Sequence, residues 1–298
     1  MSRANAWILG LASILSTSAV FADPLLGASA LPTVPARLLS EQLRLDRRVH
    51  PEAWDRVASV QSIRPEVYLS TRARRPSVTR ELSMMGADAL LPMLDLLAGG
   101  GFPRALSPEE RDALTLGALE AVGALRDRRA SVVLRAAFTR VTDPAQQRAA
   151  ARGVGALGEP EDLAFLASHL NDPGGRGLAA LEGLGASRSR AALDAVAAVL
   201  DVTRDEATAR AAARALGEIG SSWAQRASGA DAELPARAAE PLVRAFLRTT
   251  GRARDAVQVA ILACGSPRAA ALLAQALATA DAPTRARITA LLAMLRRG

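Results

Sequence analysis

Few side chains in this sequence are of the types that usually carry out catalysis or bind metal ions. Its 298 residues include two histidines, His50 and His169, and a single cysteine, Cys264. The histidines are far apart, and neither lies at the spacing of a metal-ligand set. His50 precedes a proline at a predicted turn, whereas His169 lies near a predicted helix C-terminus, where a cation interacts favourably with the helix dipole. We therefore predict structural roles for both histidines and no metal site.

Motifs of the common catalytic and phosphate-binding loops give no further candidate. The sequence contains neither the nucleophile elbow GxSxG nor the phosphate-binding loop GxxxxGK[ST]. The acidic stretch from Glu159 to Asp162 falls in a turn, where carboxylates stabilise the start of the following helix. Cys264 lies on a repeated helix and is expected to be a small buried hydrophobic residue. The sequence thus predicts no catalytic residue, no cofactor and no enzymatic activity, although residues assembled across repeats would escape a linear search.

Arginine is the one residue type that points to binding chemistry. All 37 basic residues are arginines, 30 residues are acidic, and the net charge is +7. The planar guanidinium group pairs well with carboxylates and phosphates, so an acidic protein, a nucleic acid or a lipid headgroup is a possible partner. The other explanation is a GC-rich genome, which favours arginine codons over lysine codons. Composition alone leaves both explanations open.

Several arginines follow closely after glycines that recur along the chain. If these turns align along one edge of the fold, the arginines form a ridge that attracts an anionic partner. The alternative is a solvated edge without a partner. The candidate partner-binding arginines are Arg126, Arg128, Arg129, Arg188, Arg190, Arg226 and Arg268.

The glycines end an internal repeat that must position these side chains. Its pattern is a small residue, an aliphatic residue, two variable positions, an apolar residue and then glycine. The copies ALEAVG, GVGALG, ALEGLG, ALGEIG and AILACG end 27 to 45 residues apart, and a weaker copy, ELSMMG, precedes them. The two apolar positions share one helical face, and the final glycine suits a left-handed helix cap. A period of this length predicts stacked helix pairs.

A second amphipathic helix is predicted after each glycine. The six segments are Ala89–Leu97, Ser131–Arg140, Glu161–Leu170, Ser189–Leu200, Ala236–Leu247 and Pro267–Leu277. Half of the residues are hydrophobic and only 3% are aromatic, which also favours helices over strands.

Two copies of the repeat carry a resemblance to a known family. The segments Arg148–Gly158 (RAAARGVGALG) and Arg210–Gly220 (RAAARALGEIG) resemble the first helix of HEAT repeats, of the short variety seen in phycobilisome lyases. The resemblance extends over about residues 77–297. It implies an all-α fold, a right-handed α-solenoid of about six antiparallel helix pairs, and usually a scaffold that binds proteins. It does not by itself fix a function.

A long insertion interrupts the repeat before its last full copy. It is placed most economically at Ser221–Leu234 and contains Trp223 and Arg226. Insertions in repeat proteins often lie on one functional face, and tryptophan beside arginine is a frequent hot-spot composition. Trp223 is therefore a candidate partner-binding residue. The alternative is that its side chain folds back onto the stack to cover a gap.

The N-terminus has the pattern of a secretory signal peptide. Arg3 supplies the positive charge, Ala6–Val20 is largely apolar, and small residues precede a cleavage point after Ala22. The apolar run is shorter than the roughly 20 residues of a membrane-spanning helix. We predict residues 1–22 as a signal peptide, 23–76 as a leader with capping helices, and 77–298 as the repeat domain. An ordinary N-terminal helix is the alternative.

These observations predict a monomeric, non-enzymatic scaffold for protein–protein interaction in the periplasm or outside the cell. One alternative is a basic solenoid that binds nucleic acid or a lipid headgroup, and another is an enzyme related to bilin lyases. Export and the scarcity of aromatic residues for base stacking argue against nucleic acid.

Overall fold

The computed structural model describes residues 24–27, 29–60, 77–99, 105–223 and 231–296. Within these ranges the chain forms fifteen α-helices and no β-strand, which confirms the predicted all-α class. The helices are α1 (Thr33–Val49), α2 (Pro51–Ala58), α3 (Ser77–Met84), α4 (Leu90–Ala98), α5 (Pro108–Leu125), α6 (Ser131–Arg140), α7 (Pro144–Leu157), α8 (Pro160–Ser168), α9 (Gly175–Ser187), α10 (Arg190–Val202), α11 (Glu206–Ile219), α12 (Leu234–Arg248), α13 (Gly251–Cys264), α14 (Pro267–Leu277) and α15 (Ala282–Leu295).

The helices from α3 onward are arranged as a solenoid of six pairs, followed by α15. The first helices of the pairs, which are α3, α5, α7, α9, α11 and α13, stack directly on one another. The second helices, from α4 to α14, form a parallel layer that packs against the first. The core lies between the two layers, where Leu181 and Leu216 are fully buried, as the repeat register requires. The solenoid of about six helix pairs is thus confirmed.

Local capping explains why the helix starts could be predicted closely. The side chain of Ser107 accepts a hydrogen bond from the Glu110 backbone N–H, and the Glu110 carboxylate accepts one from the Ser107 backbone N–H, which completes a capping box. Asp143, Asp205 and Asp281 each accept hydrogen bonds from the free N–H groups of the next helix. These short polar side chains satisfy donors that would otherwise lack partners, so the start of each helix is encoded in its own turn.

The recurring glycines do not all end their helices as predicted. Gly158 and Gly265 are left-handed caps, with φ of 75° and 55°. Gly220 has a φ of −86°, so the left-handed prediction is wrong there. It is also wrong at Gly123 and Gly185, which lie inside α5 and α9.

Close contact between first helices is the reason for the internal glycines. A Cβ atom on Gly123 would lie 2.8 Å from the Cα atom of Gly153, and one on Gly185 would lie 3.0 Å from the Cα atom of Ala215. Such separations exclude a side chain. The repeat therefore selects glycine here for the approach of two backbones, and the helices continue beyond it.

The N-terminal helices α1 and α2 pack against α4 at one end of the stack. The segment before α1, which we expected to be a flexible leader, is bound to the same helix: the N–H of Leu25 donates to the carbonyl of Leu96 (3.2 Å), and that of Leu26 to Leu97 (2.9 Å). The indole N–H of Trp54 donates to Asp95 (2.9 Å). The predicted signal peptide and its cleavage point lie outside the described residues, as does the segment 61–76. The division at residue 76 stays a prediction.

The contact between α7 and α9 gives a test of the stacking mechanism. A Cβ atom on Gly155 would lie 1.8 Å from the backbone oxygen of Gly183, so Gly155→Ala must push the two helices apart. We expect the free energy of unfolding to fall by about 1–3 kcal/mol or more, as for other overpacked cores. Urea denaturation followed by circular dichroism measures this loss.

Gly175→Ala is the matched control, because it adds the same methyl group to α9 where the nearest atom is 3.7 Å away. Alanine is the better helix former, so this variant should be as stable as the parent or slightly more stable. Equal stability of the two variants would contradict the proposed role of Gly155.

Candidate partner-binding groove

A groove of about 730 Å³ crosses four consecutive first helices, α5, α7, α9 and α11. Small residues, among them Gly123, Ala149 and Gly153, form part of its lining and allow the helices to lie close together. The charged residues that line it are Glu120, Arg126, Arg148, Arg152, Glu182, Arg188 and Glu218. We call this surface the central groove.

Ion pairs within the central groove connect helices that are distant in sequence. Arg152 on α7 donates two hydrogen bonds to Glu218 on α11, at 3.0 and 2.7 Å, across the intervening helix α9. The Nε atom of Arg148 lies 3.9 Å from a carboxylate oxygen of Glu182 on α9. The bond to Glu218 raises the pKa of Arg152. A bidentate pair of this kind is strong and directional, so these residues hold part of the groove in one arrangement.

Glu182 is the carboxylate most affected by its surroundings. Burial raises the pKa of Glu182, and this effect exceeds the opposing attraction of Arg148, Arg152 and Arg214. Glu182 therefore takes up a proton at a higher pH than an exposed glutamate does. Acidification makes the central groove more positive through this residue.

Two of the predicted arginines, Arg126 and Arg188, line the central groove from equivalent positions. Each is the residue that follows a first helix, with φ of 53° and 51°. Among the residues that the structure describes, neither has a carboxylate within ion-pair distance. The Nε atom of Arg188 is buried and has no hydrogen-bond acceptor there. A buried donor without an acceptor is costly, so the position of Arg188 costs free energy in the folded chain.

The remaining predicted arginines are placed elsewhere. Arg129 binds Asp127 through two side-chain hydrogen bonds, of 3.0 and 2.7 Å, and the pair lowers the pKa of Asp127. Arg190 binds both Asp231 and Glu233. Acidic neighbours thus neutralise these two arginines. Arg128 and Arg268 are exposed and do not line the groove, and Arg226 lies outside the described residues.

An apolar cavity of about 330 Å³ adjoins the central groove, because Arg188 and Glu218 line both. Its apolar residues, which we call the apolar shelf, are Trp223, Ala256, Val259, Ala260 and Ala263. The side chain of Trp223 does not fold back onto the stack and is 72% exposed, while Val259 is 65% exposed. The sequence pattern indicated Trp223 as a candidate binding residue. It did not indicate Val259, an apolar residue on the otherwise polar exposed face of α13.

A buried network between α6 and α8 was also missed. Asp162, placed by the sequence in a solvated turn, is fully buried and accepts hydrogen bonds from Ser131 and Arg135, both at 2.6 Å. His169 lies 2.8 Å from Asp172 and contacts two phenylalanine rings edge-on, which fits a structural role. These contacts link neighbouring repeats.

Titratable residues also lie outside the central groove. A cavity of about 280 Å³ near the N-terminal helices is lined by His50, Glu52 and Asp88 among others. In the described parts of the chain, no group of three or more His, Cys, Asp or Glu residues is arranged to hold a metal ion. Burial raises the pKa of the Cys264 thiol to about 12, which leaves it protonated and unreactive.

Three glycines have the spacing of a nucleotide-binding loop but do not form that structure. Gly153, Gly155 and Gly158 have the GxGxxG spacing, which binds a pyrophosphate only between a strand and a helix N-terminus. Here Gly153 and Gly155 lie inside α7, and Gly158 ends it. The backbones of Gly153 and Gly155 contact other helices, so these glycines do not form a phosphate-binding loop.

Comparison with known proteins gives only distant structural similarity. No family model and no curated protein matches the chain. A solved structure of human deoxyhypusine hydroxylase in complex with glycerol is similar at 17% identity and a TM-score of 0.30, over 86% of this chain and 100% of that chain. No helix of the described residues is long and apolar enough to cross a membrane.

The prediction that the chain is not an enzyme is corrected by this comparison. The similar structure is by its name an enzyme, a hydroxylase, so the exclusion of enzymatic activity drawn from the sequence is wrong. A likeness of this degree carries no activity over to this chain, and no catalytic residue follows from it.

The raised pKa of Glu182 gives a test of the groove's electrostatics. Between the ordinary glutamate pKa and the raised value, the folded protein binds more protons at Glu182 than the unfolded chain does, so stability falls as pH rises through this range. Glu182→Gln does not titrate. We expect its stability relative to the parent to be greater at about pH 7 than at about pH 4, measured by urea denaturation. An equal difference at both pH values would show that burial does not control this carboxylate.

Proposed function

We propose that this protein is a HEAT-repeat scaffold that acts outside the cytoplasm and binds an acidic segment of a protein partner along the central groove. The observation that carries the proposal is the continuity of the central groove with the apolar shelf. Arg126 and Arg188 face the groove without a carboxylate partner among the described residues, and the exposed Trp223 lines the cavity that Arg188 shares with the groove. A partner segment with carboxylates and one apolar side chain matches both parts.

Physical considerations favour carboxylates as the ligands of this groove. The guanidinium groups of Arg126 and Arg188 can each bind a carboxylate through two parallel hydrogen bonds. The shelf supplies the apolar contact, and tryptophan and arginine are the residue types that most often dominate binding energy. A nucleic acid fits less well, because three glutamates line the same groove and Trp223 is the one aromatic residue among those that line the groove and the shelf.

Export is the part of the proposal that the N-terminal sequence supports, and it can be tested separately. We expect a C-terminally tagged chain to leave the cytoplasm and its mature form to begin at Asp23. Cell fractionation and mass spectrometry of the intact protein measure this. A chain that stays in the cytoplasm with its first 22 residues would overturn the location without affecting the groove.

Site-specific crosslinking tests whether the groove binds a protein. A photoreactive residue placed at position 223, in cells that express the chain, should form an adduct with the partner. The same residue at position 202 is the control, because Val202 is 79% exposed but lies outside the groove and the shelf. Equal adducts at both positions would contradict the proposed surface.

Charge reversal then measures what the groove contributes to affinity. With the captured partner, Arg188→Glu should weaken binding by about tenfold or more, because it places a repulsive charge beside a bound carboxylate. Arg268→Glu makes the same change at an exposed arginine outside the groove and should leave affinity within about twofold. The loss should shrink at high salt. An equal effect of both substitutions would reject the groove as the binding site.

A further inference from the structure

Helix α1 presents an apolar stripe to solvent at the N-terminal end of the stack. The side chains of Val34, Leu38, Leu45 and Val49 are 60%, 57%, 51% and 68% exposed. Their spacing of four, seven and four residues places them on one face of the helix. The opposite face is the one that packs, through the buried Leu43. The fold therefore holds α1 in place and leaves a second apolar face without a partner in the described chain.

A row of arginines runs beside this stripe. Arg37, Arg44 and Arg48 follow one another at intervals of seven and four residues, and all three are exposed. Glu41 is the one acidic residue in the same row. Arg47 lies on another side of the helix, 3.8 Å from Asp95 of α4. The exposed face of α1 is thus aliphatic along its centre and basic along one edge.

We propose that α1 binds the surface of an anionic lipid membrane through this face. A helix with an aliphatic face bordered by arginines lies in the membrane interface, where the apolar side chains enter the acyl boundary and the cations contact phosphate headgroups. This binding site is separate from the central groove and does not depend on its proposed partner.

A second copy of the chain fits this face less well than a membrane does. A stable dimer buries about 800 Å² on each partner, which is more than four half-exposed aliphatic side chains on one helix can supply. Pairing of two such faces would also bring their arginine rows close together, with only Glu41 to offset the repulsion. Anionic headgroups complement that charge.

The packing of α1 determines how the molecule would meet the membrane. The helix is held to the stack by Leu43, by the contact between Arg47 and Asp95, and by packing on α2 and α4. It therefore binds as a preformed helix and does not have to fold on the lipid surface. The central groove begins at α5, one helix pair further along the stack, so it stays open to a partner.

Vesicle flotation of the mature chain, residues 23–298, tests the proposal. The chain should float with vesicles of phosphatidylcholine and phosphatidylglycerol and remain unbound with phosphatidylcholine alone. Leu38→Gln combined with Leu45→Gln should lower the bound fraction by about tenfold, and Arg44→Gln combined with Arg48→Gln should lower both binding and its salt dependence. All four positions are exposed, so circular dichroism should show unchanged folding.

Val202→Gln combined with Arg268→Gln is the matched control, since it removes an exposed aliphatic residue and an exposed arginine elsewhere; its binding should equal that of the parent. Absence of flotation, equal flotation with neutral vesicles, or equal losses in the control would each overturn the proposal. A dimer in light scattering that dissociates on Leu38→Gln and Leu45→Gln would also overturn it and assign the face to a second copy.

Discussion

The structure depends on the close approach of backbones between successive first helices. A Cβ atom on Gly155 would overlap the backbone oxygen of Gly183, and one on Gly183 would lie 2.5 Å from the oxygen of Ala151. Helices that approach this closely exclude water from their contact and gain dispersion energy over their whole length. They also leave no room for adjustment, so the spacing of the stack is set by the smallest side chains.

The central groove is a consequence of this spacing. Because small residues line the contacts between helices, the long arginine and glutamate side chains beside them can reach across a neighbouring helix. The pair between Arg152 and Glu218 spans α9 in this way. The same charged residues on helices with bulky neighbours would point into solvent separately and bind ligands less specifically. One pattern of small and charged residues thus allows the first helices to stack closely and also forms the proposed binding surface.

The sequence predicts local features well and cross-helix features poorly. The helices Ser131–Arg140 and Pro267–Leu277 were predicted with the bounds observed, because their caps and periodicity are local. Gly123 and Gly185 were wrongly predicted to be left-handed helix caps. A glycine that ends a helix and a glycine that contacts a neighbouring helix cannot be told apart from the repeat pattern. For Arg129, the nearby Asp127 was a signal that could have shown its neutralisation. For Arg190 there was no such signal, because its partners lie more than 40 residues away, within the predicted insertion.

The residues that cap the C-termini of the first helices differ in the conformational free energy that their left-handed backbone costs. Glycine occupies the left-handed position after α7 and α13, whereas Arg126 and Arg188 occupy it after α5 and α9. A residue with a Cβ atom held there costs about 1–3 kcal/mol, which glycine avoids. In the two pairs with this strain, the arginine in the cap position itself lines the central groove. Under the proposed function, this conformational penalty marks Arg126 and Arg188 as residues retained for binding, because glycine at the same positions would make the fold more stable.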